Sequence, residues 1–341
     1  MRVLVTGGNG FLGKAIVERL VDRGEQVCSL QRSDTPELKA RGVECFRGNL
    51  GDAAAVDQAV TGCELVFHVA AKAGVWGRYE DYHRINVVGT ENVINACRRH
   101  GVSRLVYTSS PSVVFNGKDE TGIDESAPYP DHYLTHYPQT KALAEQRVIA
   151  ANGADLATVA LRPHLIWGPG DNHLIPRLIQ RGRAGELRRV GDGRNLVDAT
   201  YIDNAADAHL LAADHLMQGS GCAGKVYFIS NGEPLPLWDL INRILGCANV
   251  APVTRTVSAN VAYAAGAAME LVYKLTGRQD EPRMTRFVAR QLSTSHWFRL
   301  DAARRDLNYV PQVTVEEGLR RLARHLSDVG LDRVEVGNKH A

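Results

Sequence analysis

Seven residues near the start of the chain restrict its fold more than any others: Gly7-Gly8-Asn9-Gly10-Phe11-Leu12-Gly13. They follow a short apolar run, Val3-Leu4-Val5, and precede residues 14–23, where Ala15, Ile16, Leu20 and Val21 recur at helical spacing until Gly24 ends the pattern. A strand that turns on glycine directly into a helix is the opening of a βαβ unit. The first half of the chain keeps that alternation. Residues 26–30, 43–46, 65–69, 105–108 and 157–161 read as strands, and 85–99 and 137–151 as helices. This predicts an α/β protein with a Rossmann-type, doubly wound parallel sheet covered on both faces.

After Arg162-Pro163 the pattern loosens, and glycine and proline become frequent between 168 and 193. Helical stretches follow at 204–217, 237–245, 257–275 and 315–326, with a short strand at 227–229. The expected organisation is a nucleotide-binding domain over 1–165 and a smaller C-terminal substrate-binding lobe over 166–341. Some later segments, such as 197–230, are expected to pack back on the first domain.

A formal net charge of +2 on 341 residues gives no electrostatic footprint for nucleic acid. The six cysteines form no Cys-x-x-Cys pair, which points to free thiols in a reducing compartment. Residues 256–269 are uncharged but too few to span a bilayer, and strand character at Arg2-Val3-Leu4-Val5 leaves no room for a signal peptide. The expectation is a cytoplasmic protein that is not transmembrane.

In the glycine turn, Gly7, Gly10 and Gly13, or equally Gly8, Gly10 and Gly13, let backbone approach a pyrophosphate, and the helix opening at Phe11 and Leu12 offers oriented N–H groups. The end of the second strand selects the dinucleotide. An acid there would hold the ribose 2′-OH of NAD. This chain has Gln31 followed by Arg32, whose guanidinium suits a 2′-phosphate, so NADP(H) is expected. Asn49 and Leu50, after the third strand, are placed near the adenine, and the small Ala70, after the fourth, beside the cofactor.

Tyr137-Pro138-Gln139-Thr140-Lys141 places a phenol and an ammonium four residues apart on one helical face. A phenol near pKa 10 needs a neighbouring cation to exchange protons at neutral pH. The reading assigns Tyr137 as acid–base, with Lys141 lowering its pKa. Ser110, at the carboxyl end of the strand over 105–108, is positioned to donate to a developing alkoxide, with Ser109 and Ser112 as rivals.

Taken together, these motifs resemble the extended short-chain dehydrogenase/reductases, in their 3β-hydroxysteroid dehydrogenase-like branch. The likeness also rests on His68-Val69-Ala70-Ala71, Asn86-Val87-Val88-Gly89-Thr90, Thr108-Ser109-Ser110, Leu161-Arg162-Pro163, Trp167-Gly168-Pro169-Gly170-Asp171, the run 227–234 and the run 307–311. The resemblance implies Ser110, Tyr137 and Lys141 as the catalytic residues. It implies that Lys141 and Pro163 also meet the cofactor, and that the chain forms a homodimer through the helices at 85–99 and 137–151. Asn49 departs from the aspartate common in the family, and Gln31 from its common acidic residue.

Within the branch, residues 70–77, 161–171 and 191–198 are similar to the 2-alkyl-3-oxoalkanoate reductases of bacterial long-chain olefin biosynthesis. This implies NADPH-dependent reduction of a lipid-like β-keto acid and possible assembly with other enzymes of that pathway. A substrate carboxylate needs a cation or donors, for which Lys72 is the candidate, with His164 and His173 behind it. Apolar walls are expected from Trp76, Trp167 and the run 257–275. The alternatives are a 3β-hydroxysteroid or sterol-4-carboxylate dehydrogenase and a nucleotide-sugar epimerase. No metal is expected, because His132 and His136 lack a surrounding ligand set.

Overall fold

The computed structural model describes residues 1–331. Seven strands form its central sheet: β1 (Arg2–Thr6), β2 (Gln26–Gln31), β3 (Glu44–Arg47), β4 (Leu65–His68), β5 (Arg104–Thr108), β6 (Ala157–Pro163) and β7 (Lys225–Ile229). Their spatial order is β3-β2-β1-β4-β5-β6-β7, and every neighbouring pair is parallel. The order reverses between β1 and β4, so a crevice opens beyond their carboxyl ends. Gly7 and Ala70 follow those ends, and Ser110 follows the carboxyl end of β5 next to them.

The two-residue period of the strands divides the core. Val3 and Val5 face one apolar layer with Ile16, Val106 and Leu161, while Leu4 faces the other with Val66, Cys97, Leu105 and Val148. The helices Phe11–Asp22 and Ile202–His215 are pinned together by Arg19, which donates to Asp203 at 2.8 Å and Asp207 at 2.7 Å. The strand Lys225–Ile229 and the helix Ile202–His215 thus extend the first sheet and one of its layers with residues from beyond position 165.

Two local features depart from the sequence expectation. The helix expected over 85–99 starts earlier, because Tyr79–Tyr82, His83–Val88 and Gly89–Arg99 run on from one another with a π-helical turn in the middle. The early turn has no apolar period and is fixed instead by Tyr82, which is buried and donates from Oη to the Trp76 carbonyl at 2.8 Å. A second sheet, absent from the sequence reading, joins short strands at Leu235–Pro236, Leu196–Val197, His296–Phe298 and Glu120–Ile123. Two- to four-residue strands carry too little periodicity to be read in advance.

All six cysteines are free thiols, as expected.

Candidate active site

The glycine turn is shaped by backbone demands that only glycine meets. Gly7 has φ +72°, and a Cβ there would stand 3.0 Å from the Ala70 Cβ. A Cβ on Gly13 would lie 2.1 Å from the Gly7 carbonyl oxygen. Gly7 N donates to the Leu30 carbonyl and Gly10 N to the Gly7 carbonyl, each at 2.8 Å. The helix Phe11–Asp22 has Gly10 at its N-cap and no capping side chain. Its first N–H groups therefore face the crevice as an anion site. That geometry fits the pyrophosphate of a dinucleotide.

Around the expected adenosine end, Asn49 Oδ1 accepts from Gly51 N at 3.0 Å, and the Leu50 carbonyl accepts from Asn92 Nδ2 at 2.8 Å. The Gln31 amide is committed within its own neighbourhood. Its Oε1 accepts from the Ser29 hydroxyl and its Nε2 donates to Thr35 at 2.7 Å. Arg32 is exposed, and beside it Asn9 Nδ2 donates to Ser33 Oγ at 2.9 Å.

Tyr137 and Lys141 lie on the helix His136–Ala150. Lys141 is 2% exposed, and its Nζ donates to the Thr108 carbonyl at 2.6 Å and sits 4.2 Å from the centre of the Tyr107 ring. Burial lowers its pKa to about 7, against an upward pull from Glu145. Tyr137 is half-buried, and burial raises its phenol above the ordinary value while a hydrogen bond from Ser110 lowers it. The sequence reading had Lys141 lowering that pKa. Here the lysine is turned onto Thr108, and Ser110 supplies the downward pull. Of the three rival serines, Ser110 is the one that draws the Tyr137 pKa down, and its hydroxyl pairs with Ser112 Oγ at 2.9 Å. Ser109 is buried, with its N–H on the Leu161 carbonyl at 2.6 Å. Pro163 ends β6, and its carboxyl-end neighbour His164 places Nδ1 2.8 Å from the Asp198 carbonyl.

A set of buried polar residues that the sequence reading did not assign supports this machinery. Thr6 Oγ1 accepts from both Val69 N and Ala70 N at 3.1 Å, so its proton goes to His68 Nδ1 at 2.9 Å. His68 Nε2 then donates to Thr90 Oγ1 at 3.0 Å, and Thr90 donates to the Asn86 carbonyl at 2.6 Å. Burial, aided by Lys141, lowers the His68 pKa to about 3, so the ring is neutral and wires the loop after β4 to the neighbouring helix. Asn86, in the π-helical turn, grips Lys72 at both N (2.7 Å) and O (3.1 Å) and donates to Thr140 Oγ1 at 3.0 Å. It thereby ties the Lys72 loop to the helix of Tyr137 and Lys141. The signal for both was a polar residue inside an otherwise apolar run.

Beside the N-terminus of that helix lies a pocket of about 310 Å³, walled by Trp76, Tyr82, His136, Gln139, Tyr273 and Arg286. Trp76 donates from Nε1 to the Arg278 carbonyl at 3.0 Å and meets Tyr273 edge-on. Lys72 Nζ lies 5.1 Å from the Tyr82 ring centre. Trp167 does not join this wall, and its expected substrate role is corrected. It is 0% exposed, with its ring against Tyr201 and under Gly318, and is a core residue. His164 packs edge-on to Phe298, and burial beside His296 lowers its pKa to about 3, so it brings no cation to a carboxylate. His173 sits at the start of the helix Leu174–Arg183, with its N–H on Asp171. A larger cleft of about 630 Å³, bounded by Asp124, Arg162, Lys225, Arg299 and Asp306, contains none of the catalytic candidates.

Among the described residues, no helix is long and apolar enough to cross a membrane.

Residues 4–256 match the model of the 3-beta hydroxysteroid dehydrogenase/isomerase family. The chain is 55% identical to a 2-alkyl-3-oxoalkanoate reductase of Stenotrophomonas maltophilia, with 94% of this chain and 98% of that protein covered. It is 51% identical to a protein of the same name from Shewanella oneidensis, covering 93% and 84%. A mouse sterol-4-alpha-carboxylate 3-dehydrogenase is 34% identical, covering 96% and 92%. Among solved structures, MoeE5 in complex with UDP-glucose and NAD superposes with a TM-score of 0.75 at 26% identity, covering 96% of this chain and 99% of that one. With a parallel sheet, a glycine turn at its switch point and a Ser–Tyr–Lys set beside it, the chain is an oxidoreductase that belongs to the 3-beta hydroxysteroid dehydrogenase/isomerase family.

Proposed function

We propose that this protein reduces a 2-alkyl-3-oxoalkanoate, a β-keto acid with long alkyl chains, to the 2-alkyl-3-hydroxyalkanoate, using NADPH. The observation that carries the reading is a pocket with aromatic walls at the start of the helix that holds Tyr137 and Lys141, in a chain 55% identical to a reductase of that name. The bound nicotinamide supplies the hydride. Tyr137 gives its phenolic proton to the substrate carbonyl oxygen, and Ser110 holds that oxygen by a hydrogen bond as charge develops. Lys141, buried and anchored on the Thr108 carbonyl, would meet the bound cofactor one helical turn from Tyr137. Lys72 takes the substrate carboxylate, and Trp76 and Tyr273 flank the alkyl chains.

The preference for NADPH rests on Arg32, exposed at the end of β2, and on the absence of a carboxylate at Gln31. Asn49, Leu50, Ala70 and Pro163 complete the cofactor's surroundings. The same site suits the reverse chemistry on a β-hydroxy acid, which the 34% identical mouse sterol-4-carboxylate dehydrogenase favours as a second reading. We place the protein in the cytoplasm as a homodimer that works alongside the enzymes supplying its keto acid.

The test is NADPH oxidation with a freshly made 2-alkyl-3-keto acid and, in parallel, a 3-ketosteroid. Turnover of the keto acid alone supports the proposal, and turnover of the steroid alone overturns it.

A further inference from the structure

Two thiols that stand far apart in the sequence meet inside the protein. Cys28 lies in the middle of β2, and Cys63 in the turn between the helix Ala53–Val60 and β4. Their sulfurs are 3.4 Å apart, and the residues are 0% and 4% exposed. Cys97 belongs to the same apolar layer but, among the described residues, has no sulfur within hydrogen-bond distance, and burial raises its thiol to about 12.

The pair is not symmetric. Arg2 reaches from the surface toward Cys63. Its Nη2 pairs with Glu44 at 2.7 Å, while its Nε is buried and has no nitrogen or oxygen partner among the described residues. A buried guanidinium N–H without an acceptor is costly, and a Cys63 thiolate supplies one. On the other side, Cys28 Sγ also lies 3.4 Å from the Val3 carbonyl, which only accepts, so Cys28 keeps a proton to donate. Hydrogen bonds from Cys28 and then Arg2 pull the Cys63 thiol below its ordinary value against burial, and the bond to Cys63 together with burial pushes Cys28 far up. Access to the turn is from the end of the sheet opposite the glycine turn. A Cβ on Gly62, which precedes Cys63 at φ +73°, would meet nothing nearer than the Arg2 side chain at 3.7 Å, so one flexible side chain overlies this turn.

A thiolate beside a protonated thiol is suited to turn the oxidising power of a peroxide into a disulfide. The Cys63 sulfur attacks one peroxide oxygen. An S–O bond forms, the O–O bond breaks, and the leaving oxygen takes the proton that Cys63 released. Cys28 then attacks the Cys63 sulfur. The S–S bond forms, the S–O bond breaks, and the Cys28 proton departs with the hydroxyl group as water. Two thiols are oxidised and one peroxide is reduced. The sulfurs need to close by about 1.4 Å.

We propose that Cys28 and Cys63 form an oxidisable dithiol, which hydrogen peroxide or an alkyl hydroperoxide converts to a reversible disulfide. The bridge ties off the segment 28–63, which carries Gln31, Arg32, Asn49 and Leu50 on the expected adenosine side of the nucleotide site, and so holds this half of the sheet together in the oxidised protein. The inference is independent of the substrate assignment.

The test treats the reduced, folded full chain with a small excess of hydrogen peroxide, quenches with catalase and counts thiols after denaturation. Six thiols should fall to four, non-reducing peptide mapping should find Cys28 joined to Cys63, and dithiothreitol should restore all six. The oxidised protein should melt about 5 °C or more above the reduced one. Arg2→Met should slow formation of the bridge by about tenfold, and Cys63→Ala should leave Cys28 a free thiol. A wild-type chain that keeps both thiols, stops at a sulfinic acid on Cys63, or joins either cysteine elsewhere would overturn the proposal. So would an oxidised protein that melts no higher than the reduced one. The mapping is done on the wild-type chain, so it decides the matter even where a variant folds poorly.

Discussion

Lys141 donates from Nζ to the Thr108 carbonyl at 2.6 Å, so the lysine of the Tyr-x-x-x-Lys pair is anchored to the end of β5. This anchor fixes where the ammonium sits, and the burial that comes with it brings the pKa to about 7. The ammonium is thus held at the margin of charge.

A pH dependence of stability follows. In the unfolded chain Lys141 is protonated up to about pH 10.5, whereas in the folded protein it is protonated only below about 7. Burying the charge therefore costs stability fully below pH 7, and the cost fades as pH rises toward 10.5. Lys141→Met should be more stable than wild type at pH 6.5, with the advantage shrinking at pH 9.5. Urea unfolding at the two pH values checks this; an advantage that grows with pH would contradict it.

Glu120 should behave oppositely. Burial raises its pKa to about 8, and its Oε2 lies 3.4 Å from His296 Nδ1. Thr294 donates to the Arg290 carbonyl and so accepts from His296 Nε2, which leaves Nδ1 as an acceptor for a protonated Glu120. Stability from the neutral carboxyl is complete below pH 4.5 and is lost as pH rises through 8. Glu120→Gln should match wild type at pH 4.5 and exceed it at pH 9, by on the order of 5 kcal/mol. Equal denaturation midpoints at pH 9 would refute this.

Gly13 and Gly246 offer a matched pair. A Cβ at Gly13 meets the Gly7 oxygen at 2.1 Å, while one at Gly246, within the helix Leu237–Cys247, meets nothing within 4 Å. Gly13→Ala should cost about 2–4 kcal/mol and impair NADPH binding. Gly246→Ala should be stabilising by about 0.5–1 kcal/mol. Chemical denaturation of both variants distinguishes a close-packed turn from a general dislike of substitution.

Cofactor choice is tested at Arg32. If its guanidinium holds a 2′-phosphate, Arg32→Ala should weaken NADPH by about tenfold or more and leave NADH nearly unchanged. Fluorescence titration with each nucleotide reads this directly, and equal losses for both would remove Arg32 from the site.

Much of the molecule was legible in the chain. The turn from Val5 through Gly13 announces a strand-to-helix crossing, because glycine is needed where backbone meets backbone. The four-residue spacing of Tyr137 and Lys141 needs only a helix to become a site. What was hidden depends on contacts between distant segments. Nothing local shows that Asn86 grips Lys72 and Thr140, or that Thr6, His68 and Thr90 form one proton-ordered chain. Trp167 reads as a pocket wall by residue type, and only Tyr201 and Gly318, distant in sequence, make it core. Nor does the spacing of Tyr137 and Lys141 reveal that the ammonium turns toward Thr108, which is a matter of strand placement. The helical start at Tyr79 was missed because a single buried phenol, Tyr82, replaces the apolar period.

The central claim is that the Tyr137 phenol donates the proton during carbonyl reduction. Tyr137→Phe removes one hydroxyl and nothing else, so kcat for keto-acid reduction and the Kd for NADPH should be measured on the same preparation. The account predicts a fall in kcat of about a thousandfold or more with Kd changed less than about threefold. A variant that binds NADPH normally and turns over within about tenfold of wild type would contradict it.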